Sequence, residues 1–202
     1  MKLADLITPE MPAGTALFLQ WDGYHVFSIP QRELVRADDR VRFFGVGGKR
    51  QAQESLIECA LRESTEEIGA VVSQLESATQ TYFLAADGSL KTIDLADEIR
   101  PRLILEKRQH SSQSSMAQDA SYYLVAFNAR LSGKPVPSNE IAGILYLTDV
   151  HLSLIRRWSG LTMADMLSQG AQIDVQPHQA IHQSRILIPH GTAKFLIQQL
   201  PA

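Results

Sequence analysis

Three carboxylates, Glu63, Glu66 and Glu67, fall within five residues of one stretch, Gly48 to Ala70, GKRQAQESLIECALRESTEEIGA. Most of it reads as helix, and at about 100° per residue the three glutamates project to one side. Ile57, Ala60, Leu61, Ser64 and Ile68 take a neighbouring, mostly apolar side that is expected to pack. Like charges three and four residues apart cost a helix a few tenths of a kcal/mol per pair, and only Arg62, four residues before Glu66, offsets this locally. Convergent carboxylates suit a hard divalent cation, Mg²⁺ first and Mn²⁺ second, which takes oxygen ligands and keeps waters for a phosphate to displace. The competing reading is a solvated acidic helix face.

The spacing decides between them. The stretch fits G-x5-E-x7-R-E-U-x-E-E-x-G-U, where U is a bulky apolar residue, and Gly48, Glu54, Arg62, Glu63, Glu66, Glu67 and Gly69 fill all seven fixed positions. Such a match is far more specific than a lone glycine-rich run. On these residues the chain resembles the Nudix hydrolase family. The departures are Ser64 and Ala70 at the two U positions, and Ser64 is expected to weaken the packing face.

Stepping outward, the elements that must hold this helix can be read from both flanks. Ala16 to Gln20 and Tyr24 to Ile29 read as strands around the hairpin signal Asp22-Gly23. Val41 to Phe44 reads as a short strand running into Gly45-Val46-Gly47-Gly48, where the lack of a Cβ allows close backbone approach. Thr79 to Leu84 and Leu90 to Leu95 form a second hairpin around Asp87-Gly88. Arg102 to Glu106, Ser121 to Ala129 and Ile141 to Leu147 are further strands, and Asp149 to Trp158 an amphipathic helix. Leu34 to Arg40 reads as loop. Lys107 to Ala120 is polar and aperiodic, and a loop of that length in a compact domain is expected to rim the substrate pocket. Beyond residue 158, Leu161 to Leu167 and Thr192 to Leu200 read as helices, with strand-like residues at 185–188 between them.

The fold class expected from the resemblance is α+β, a Nudix-type α/β/α sandwich with a mixed sheet. The box helix packs on that sheet, and a mostly helical C-terminal extension follows. One domain spans 1–202, with its core at about 13–158 and the extension at 159–202. A net charge of −3 gives no overall attraction to nucleic acid or an anionic membrane. The single cysteine, Cys59, excludes an intrachain disulfide, and one turn from Glu63 it reads as a packing thiol. The first residues carry no long apolar stretch, so a cytoplasmic location is expected. His178 and His182 have zinc-protease spacing, but the Gln-Ala-Ile between them lacks the required glutamate, so they read as structural or solvated.

The resemblance implies a metal-dependent hydrolase that cleaves a phosphoanhydride in a nucleoside diphosphate linked to another group. Glu63, Glu66 and Glu67 are the expected metal ligands, with the Gly48 carbonyl beside them. Arg62 is expected to orient the carboxylates, and Glu54 to hold the loop or reach the metal through water. Glu63 or Glu66 is the first candidate for the base, with Glu140 next and Glu98 its rival. Arg32, after the second strand, is a weaker candidate for the substrate phosphates. The implied partner is a small nucleotide, possession of a homodimer is common in the family, and nucleic acid or membrane partners are not expected. The alternative is a nucleotide-sensing module without turnover, since some Nudix-like domains regulate transcription. The short, weakly basic tail and the complete box favour catalysis. RNA cap or 5′-end processing is a third reading, disfavoured by the acidic balance.

Overall fold

A mixed β-sheet runs through the molecule, and helices lie on both of its faces. The computed structural model describes residues 1–109 and 120–199. In chain order the elements are α1 (Leu3–Leu6), β1 (Ala13–Trp21), β2 (Tyr24–Pro30), a 3-10 turn (Gln31–Glu33), β3 (Arg40–Phe43), α2 (Leu56–Ile68), β4 (Val72–Glu76), β5 (Thr81–Leu84), β6 (Leu90–Ile93), β7 (Leu103–Gln109), β8 (Ala120–Leu131), β9 (Ile141–Leu147), α3 (Asp149–Arg157), α4 (Met163–Ser168), β10 (Gln172–Val175), β11 (Ile186–Pro189) and α5 (Thr192–Gln199). Among the described residues the main sheet has the order β10-β9-β2-β1-β8-β7-β5-β6, with β4 also pairing β8. It is mixed because β1 runs parallel to β8 and β5 parallel to β7, whereas its other pairs are antiparallel.

The burial of β9 explains the layering. All seven of its residues are buried. Ile144 and Tyr146 face a cluster with Val26, Leu56, Ala60 and Ile68 under α2. Leu145 and Leu147 face the other side, a cluster with Phe27, Ile29, Leu152, Met163 and Leu196 under α3, α4 and α5. A strand covered on both faces reads as a continuous apolar run, which Ile141 to Leu147 does.

The structure changes several local expectations. α2 packs through Leu56, Cys59, Ala60, Glu63, Ser64, Glu67 and Ile68, while Ile57 and Leu61 are exposed. The packing face is therefore rotated towards Glu63 and Glu67, which become buried side chains rather than members of a separate acidic side. Ser64 is no weak point: it is 1% exposed, and its hydroxyl donates to the Leu61 carbonyl at 2.9 Å. A small residue that satisfies its own hydroxyl fits where a bulky one was expected. Gly69 ends the helix at φ 80° and ψ 171°, a positive-φ conformation that glycine reaches without a Cβ clash.

β4 and β10 were not anticipated. The C-terminal segment supplies its expected helices and also two strands: β10 extends the main sheet beside β9, and β11 pairs in parallel with β3. β7 continues to Gln109 and β8 begins at Ala120, so both ends of the anticipated polar loop are strand; residues 110–119 lie outside the described residues. No helix among the described residues is long and apolar enough to cross a membrane.

Candidate active site

α2 is fixed at its start by a capping box: the Glu58 amide donates to Ser55 Oγ at 3.1 Å, and the Ser55 amide to Glu58 Oε2 at 2.8 Å. From this fixed start Arg62 gathers the box carboxylates. Its guanidinium holds Glu54 through two bonds, of 2.7 and 3.0 Å, and through Nη1 it meets Glu63 Oε1 at 2.9 Å and Glu66 Oε2 at 3.0 Å. Its Nη2 also donates to the Lys49 carbonyl at 3.0 Å. A planar donor fork suits this several-fold grip. Glu54, held by Arg62 against some burial and receiving the Gln51 amide at 2.9 Å, has its carboxyl pulled down to about 2. It braces the loop as expected.

The diglycine segment is threaded between two strands. β1 and β2 pair directly only near their hairpin, Leu19 to Trp21 against Tyr24 to Val26. Further along they part, and residues 44–48 fill the gap: Thr15 donates to the Gly48 carbonyl at 2.9 Å, Leu17 to Val46 at 2.8 Å, and Ser28 to Phe44 at 2.8 Å. Gly47 sits at φ 145°, where a Cβ would lie 2.2 Å from the Thr15 carbonyl oxygen. A Cβ on Gly48 would lie 2.3 Å from Glu63 Oε2, so this backbone lies directly against the Glu63 carboxylate. Cys59 is buried in the same junction, where its sulfur accepts from the Thr15 hydroxyl at 3.3 Å. Burial pushes its thiol up, consistent with a packing role.

Glu67 points the same way. Its Oε2 accepts the Gly47 amide at 2.9 Å. Burial nevertheless dominates, and with repulsion from Glu63 and Glu140 it pushes the carboxyl up to about 8. Glu63 is also raised, first by burial, against the pull of Arg62 and with further repulsion from Glu66 and Glu140.

Glu140 reaches this cluster because its turn closes the end of α2. The last carbonyls of a helix lack partners within it. Here Glu66 O accepts from Ser138 Oγ at 2.5 Å and Asn139 Nδ2 at 2.8 Å, Glu67 O from the Ser138 amide at 3.0 Å, and Ile68 O from the Val136 amide at 3.1 Å. Asn139 adopts φ 49°, which asparagine tolerates better than most residues. Gln31 then joins the turn to β2, its amide donating to the Glu140 carbonyl at 2.7 Å and its side chain to the Asn139 carbonyl at 2.8 Å. Arg32 follows, with its guanidinium 5.5 Å from the Phe44 ring centroid.

These parts line one cavity of about 420 Å³. Glu63, Glu67, Glu140, Gly48 and Arg32 all line it. Glu66 and Arg62 do not: Arg62 stands behind the carboxylates, and Glu66 is exposed at their edge. Glu98 is exposed elsewhere, so Glu140 is the glutamate beside the box. His178 and His182 are exposed and outside the cavity. Lys107, at the start of the segment expected to rim the pocket, lines it; the sequence reading did not single out Lys49, Tyr122, His190 and Thr192, which line it too. Burial lowers the Lys107 ammonium and the His190 imidazolium, and it raises the Tyr122 phenol. Lys49 stands beside Gly48 in the box, whereas Tyr122, His190 and Thr192 come from segments distant in sequence.

The donor set fits a hard cation in kind: carboxylates of Glu63, Glu67 and Glu140, and a backbone carbonyl at Gly48, all oxygen. Among the described residues no group of three or more His, Cys, Asp or Glu side chains is arranged to hold a metal ion. Arg62 holds Glu54, Glu63 and Glu66, and the Gly47 amide holds Glu67.

No family model and no curated protein matches the chain. Solved structures similar to it include the solution structure of the E. coli ORF135 protein, at 15% identity and TM-score 0.42, with 69% of this chain and 75% of that one covered. The MutT Nudix hydrolase from Burkholderia pseudomallei matches at 13% identity and TM-score 0.43, covering 95% of this chain and 99% of that one. A Nudix hydrolase from Nitrosomonas europaea matches at 12% identity and TM-score 0.41; the match covers 70% of this chain and only 59% of the length of that protein.

Proposed function

We propose that the chain is a Nudix pyrophosphohydrolase, cleaving a phosphoanhydride in a nucleoside diphosphate linked to another group. The observation that carries this reading is the meeting of Glu63, Glu67, Glu140 and the Gly48 backbone in one cavity that Arg32, Lys49 and Lys107 also line. Glu63, Glu67 and the Gly48 carbonyl would hold Mg²⁺ or Mn²⁺, with Glu66 joining from the edge. The cation, when bound, supplies neutralisation of phosphate charge and a bound water of lowered pKa.

The residues then divide the work. Arg62 holds Glu63 by Oε1, leaving Oε2 against the Gly48 backbone with no hydrogen-bond partner among the described residues. Oε2 is thus the favoured atom to take a proton from an attacking water, which ranks Glu63 ahead of Glu66. Glu140 stands next to it as the second candidate. Arg32, Lys49 and Lys107 bind and orient the substrate phosphates by charge. The reading also treats 1–202 as one domain, because residues 190–192 of the C-terminal segment belong to the pocket wall.

The test is phosphate release from ADP-ribose, dinucleoside polyphosphates, NADH, coenzyme A and oxidised nucleotides with Mg²⁺, comparing wild type with Glu63→Gln. Turnover that falls at least about a hundredfold in the variant, the range for losing general-base help, supports the reading. Tight nucleotide binding with no turnover of any substrate would instead identify a sensing module.

A further inference from the structure

A second cavity, of about 250 Å³, lies beyond Thr192 on the α5 side of the sheet, and its most unusual wall residue is Arg102. The Arg102 backbone is fixed on both sides, its amide donating to the Ala126 carbonyl at 2.8 Å and its carbonyl accepting from the Tyr82 amide at 2.9 Å. The guanidinium lies 4.8 Å from the centroid of the Phe18 ring, and Phe18 packs in turn on Phe195 of α5.

What the guanidinium lacks is an acceptor. The other half-buried arginines all have one: Arg42 on Glu33, Arg50 on three carbonyls, Arg62 on Glu54, Arg100 on Ser77, and Arg185 on three carbonyls. Among the described residues nothing accepts a hydrogen bond from the Arg102 side chain. Five N–H donors in a partly desolvated site, with only a ring face beside them, are under-used. Burial also disfavours the charge there.

Three more polar side chains line this cavity without a side-chain partner among the described residues: Gln20, Asn128 and the 2%-exposed Thr192. The two other titratable groups in it are engaged. Glu76 pairs with Arg130 at 2.6 Å, and His25 is held by Asp149 at 2.7 Å. The free hydrogen-bonding capacity is thus a cation, two amides and a hydroxyl, converging on one space beside an aromatic ring.

We propose that this cavity, which shares Thr192 with the carboxylate pocket, is a further phosphate-binding site in which Arg102 is the principal anion contact and Asn128, Gln20 and Thr192 complete the donor set. A guanidinium fork matches two oxygens of a phosphate. The phosphate can be free or the terminal group of a nucleotide, and the two are separable by titration.

The test uses the full chain with EDTA, so that hydrolysis plays no part, titrated calorimetrically with inorganic phosphate and separately with AMP. Saturable binding of at least one is expected. Arg102→Gln should weaken it roughly tenfold to a hundredfold, the loss expected for a hydrogen bond to a charged group. Arg32→Gln, in the other pocket, should leave the Arg102-dependent part of the binding in place. Binding of phosphate alone identifies the free ion as occupant, and binding of AMP alone a nucleotide phosphate. If neither binds, or if Arg102→Gln binds as wild type does, or if Arg32→Gln is the variant that loses binding, the proposal is overturned. Circular dichroism checks folding. Should Arg102→Gln fail to fold, Gln20→Ala/Asn128→Ala gives the same reading, with unchanged affinity refuting the site. A chain that hydrolyses nothing would still be expected to bind phosphate here.

Discussion

Replacing Glu67 by glutamine should stabilise the metal-free protein while removing its activity. Glu67 is 6% exposed, and its carboxyl is raised from 4.5 to about 8. The sign follows from linkage. Below about pH 4.5 both folded and unfolded chains carry a neutral carboxyl, and the group costs nothing. Between that value and about 8 the unfolded chain releases its proton and the folded chain retains it, so stability falls as pH rises. Above about 8 the loss is complete. At pH 7 the gap spans some 2.5 pH units on the unfolded side, which at 1.36 kcal/mol per unit is on the order of 3 kcal/mol. Glutamine carries no proton to lose, and its carbonyl oxygen can keep the Gly47 amide. Glu67→Gln should therefore melt higher than wild type at pH 7–8 in EDTA. The shift is roughly 6–12 °C if the full amount is recovered. The gain should vanish towards pH 4.5. Differential scanning fluorimetry across pH 4.5–8.5 measures it. An unchanged or lower melting temperature at pH 8, or a difference that does not change with pH, would refute the claim that burial sets the state of Glu67.

Other outcomes follow from the same geometry. Glu66→Gln separates the two base candidates: the box alone leads one to expect a loss of about two orders of magnitude in kcat, whereas a smaller loss than in Glu63→Gln would agree with the exposed position of Glu66. Gly47→Ala forces a Cβ against the Thr15 carbonyl at a φ of 145°, and strain alone should cost roughly 1–3 kcal/mol in urea denaturation. Asn139→Ala removes one bond to the end of α2 and should lower stability by about 1 kcal/mol. It should also reduce kcat if Glu140 acts from that turn. Arg185→Ala abandons the carbonyls of Glu33, Leu34 and Arg36, and a destabilisation of more than about 1.5 kcal/mol is expected by the same measure.

Much of this was legible because it is local. Hairpin signals at Asp22-Gly23 and Asp87-Gly88 marked true antiparallel pairs. The Ser55–Glu58 capping box was also present to be read and would have fixed the start of α2. The helical wheel misjudged the packing face because apolarity suggested Ile57 and Leu61. The burial of Glu63 and Glu67 is instead stabilised by contacts no wheel contains: a guanidinium for one and a backbone amide for the other. β4 and β10 escaped notice because Val72–Glu76 and Gln172–Val175 are short and half-polar, and they exist through pairing with β8 and β9. Part of the pocket lining was illegible for a related reason. Tyr122, His190 and Thr192 meet only in three dimensions, and none sits in a motif.

The pairing of β11 with β3 has a consequence for how the protein is made. β3 leaves the ribosome early, but its partner is synthesised 146 residues later, the interval from Arg40 to Ile186 in the register. Until then Val41 and Phe43 lack the cover of Leu187, Leu196 and Ile197. The box helix can form and bind its arginine while His190 and Thr192 of the pocket are still untranslated. Long-range closure of this kind slows folding and prolongs exposure of apolar surface. The nascent chain thus holds the box carboxylates, Arg32, Lys49 and Lys107 before His190 and Thr192 exist, and the cavity is complete only once the last helix has docked.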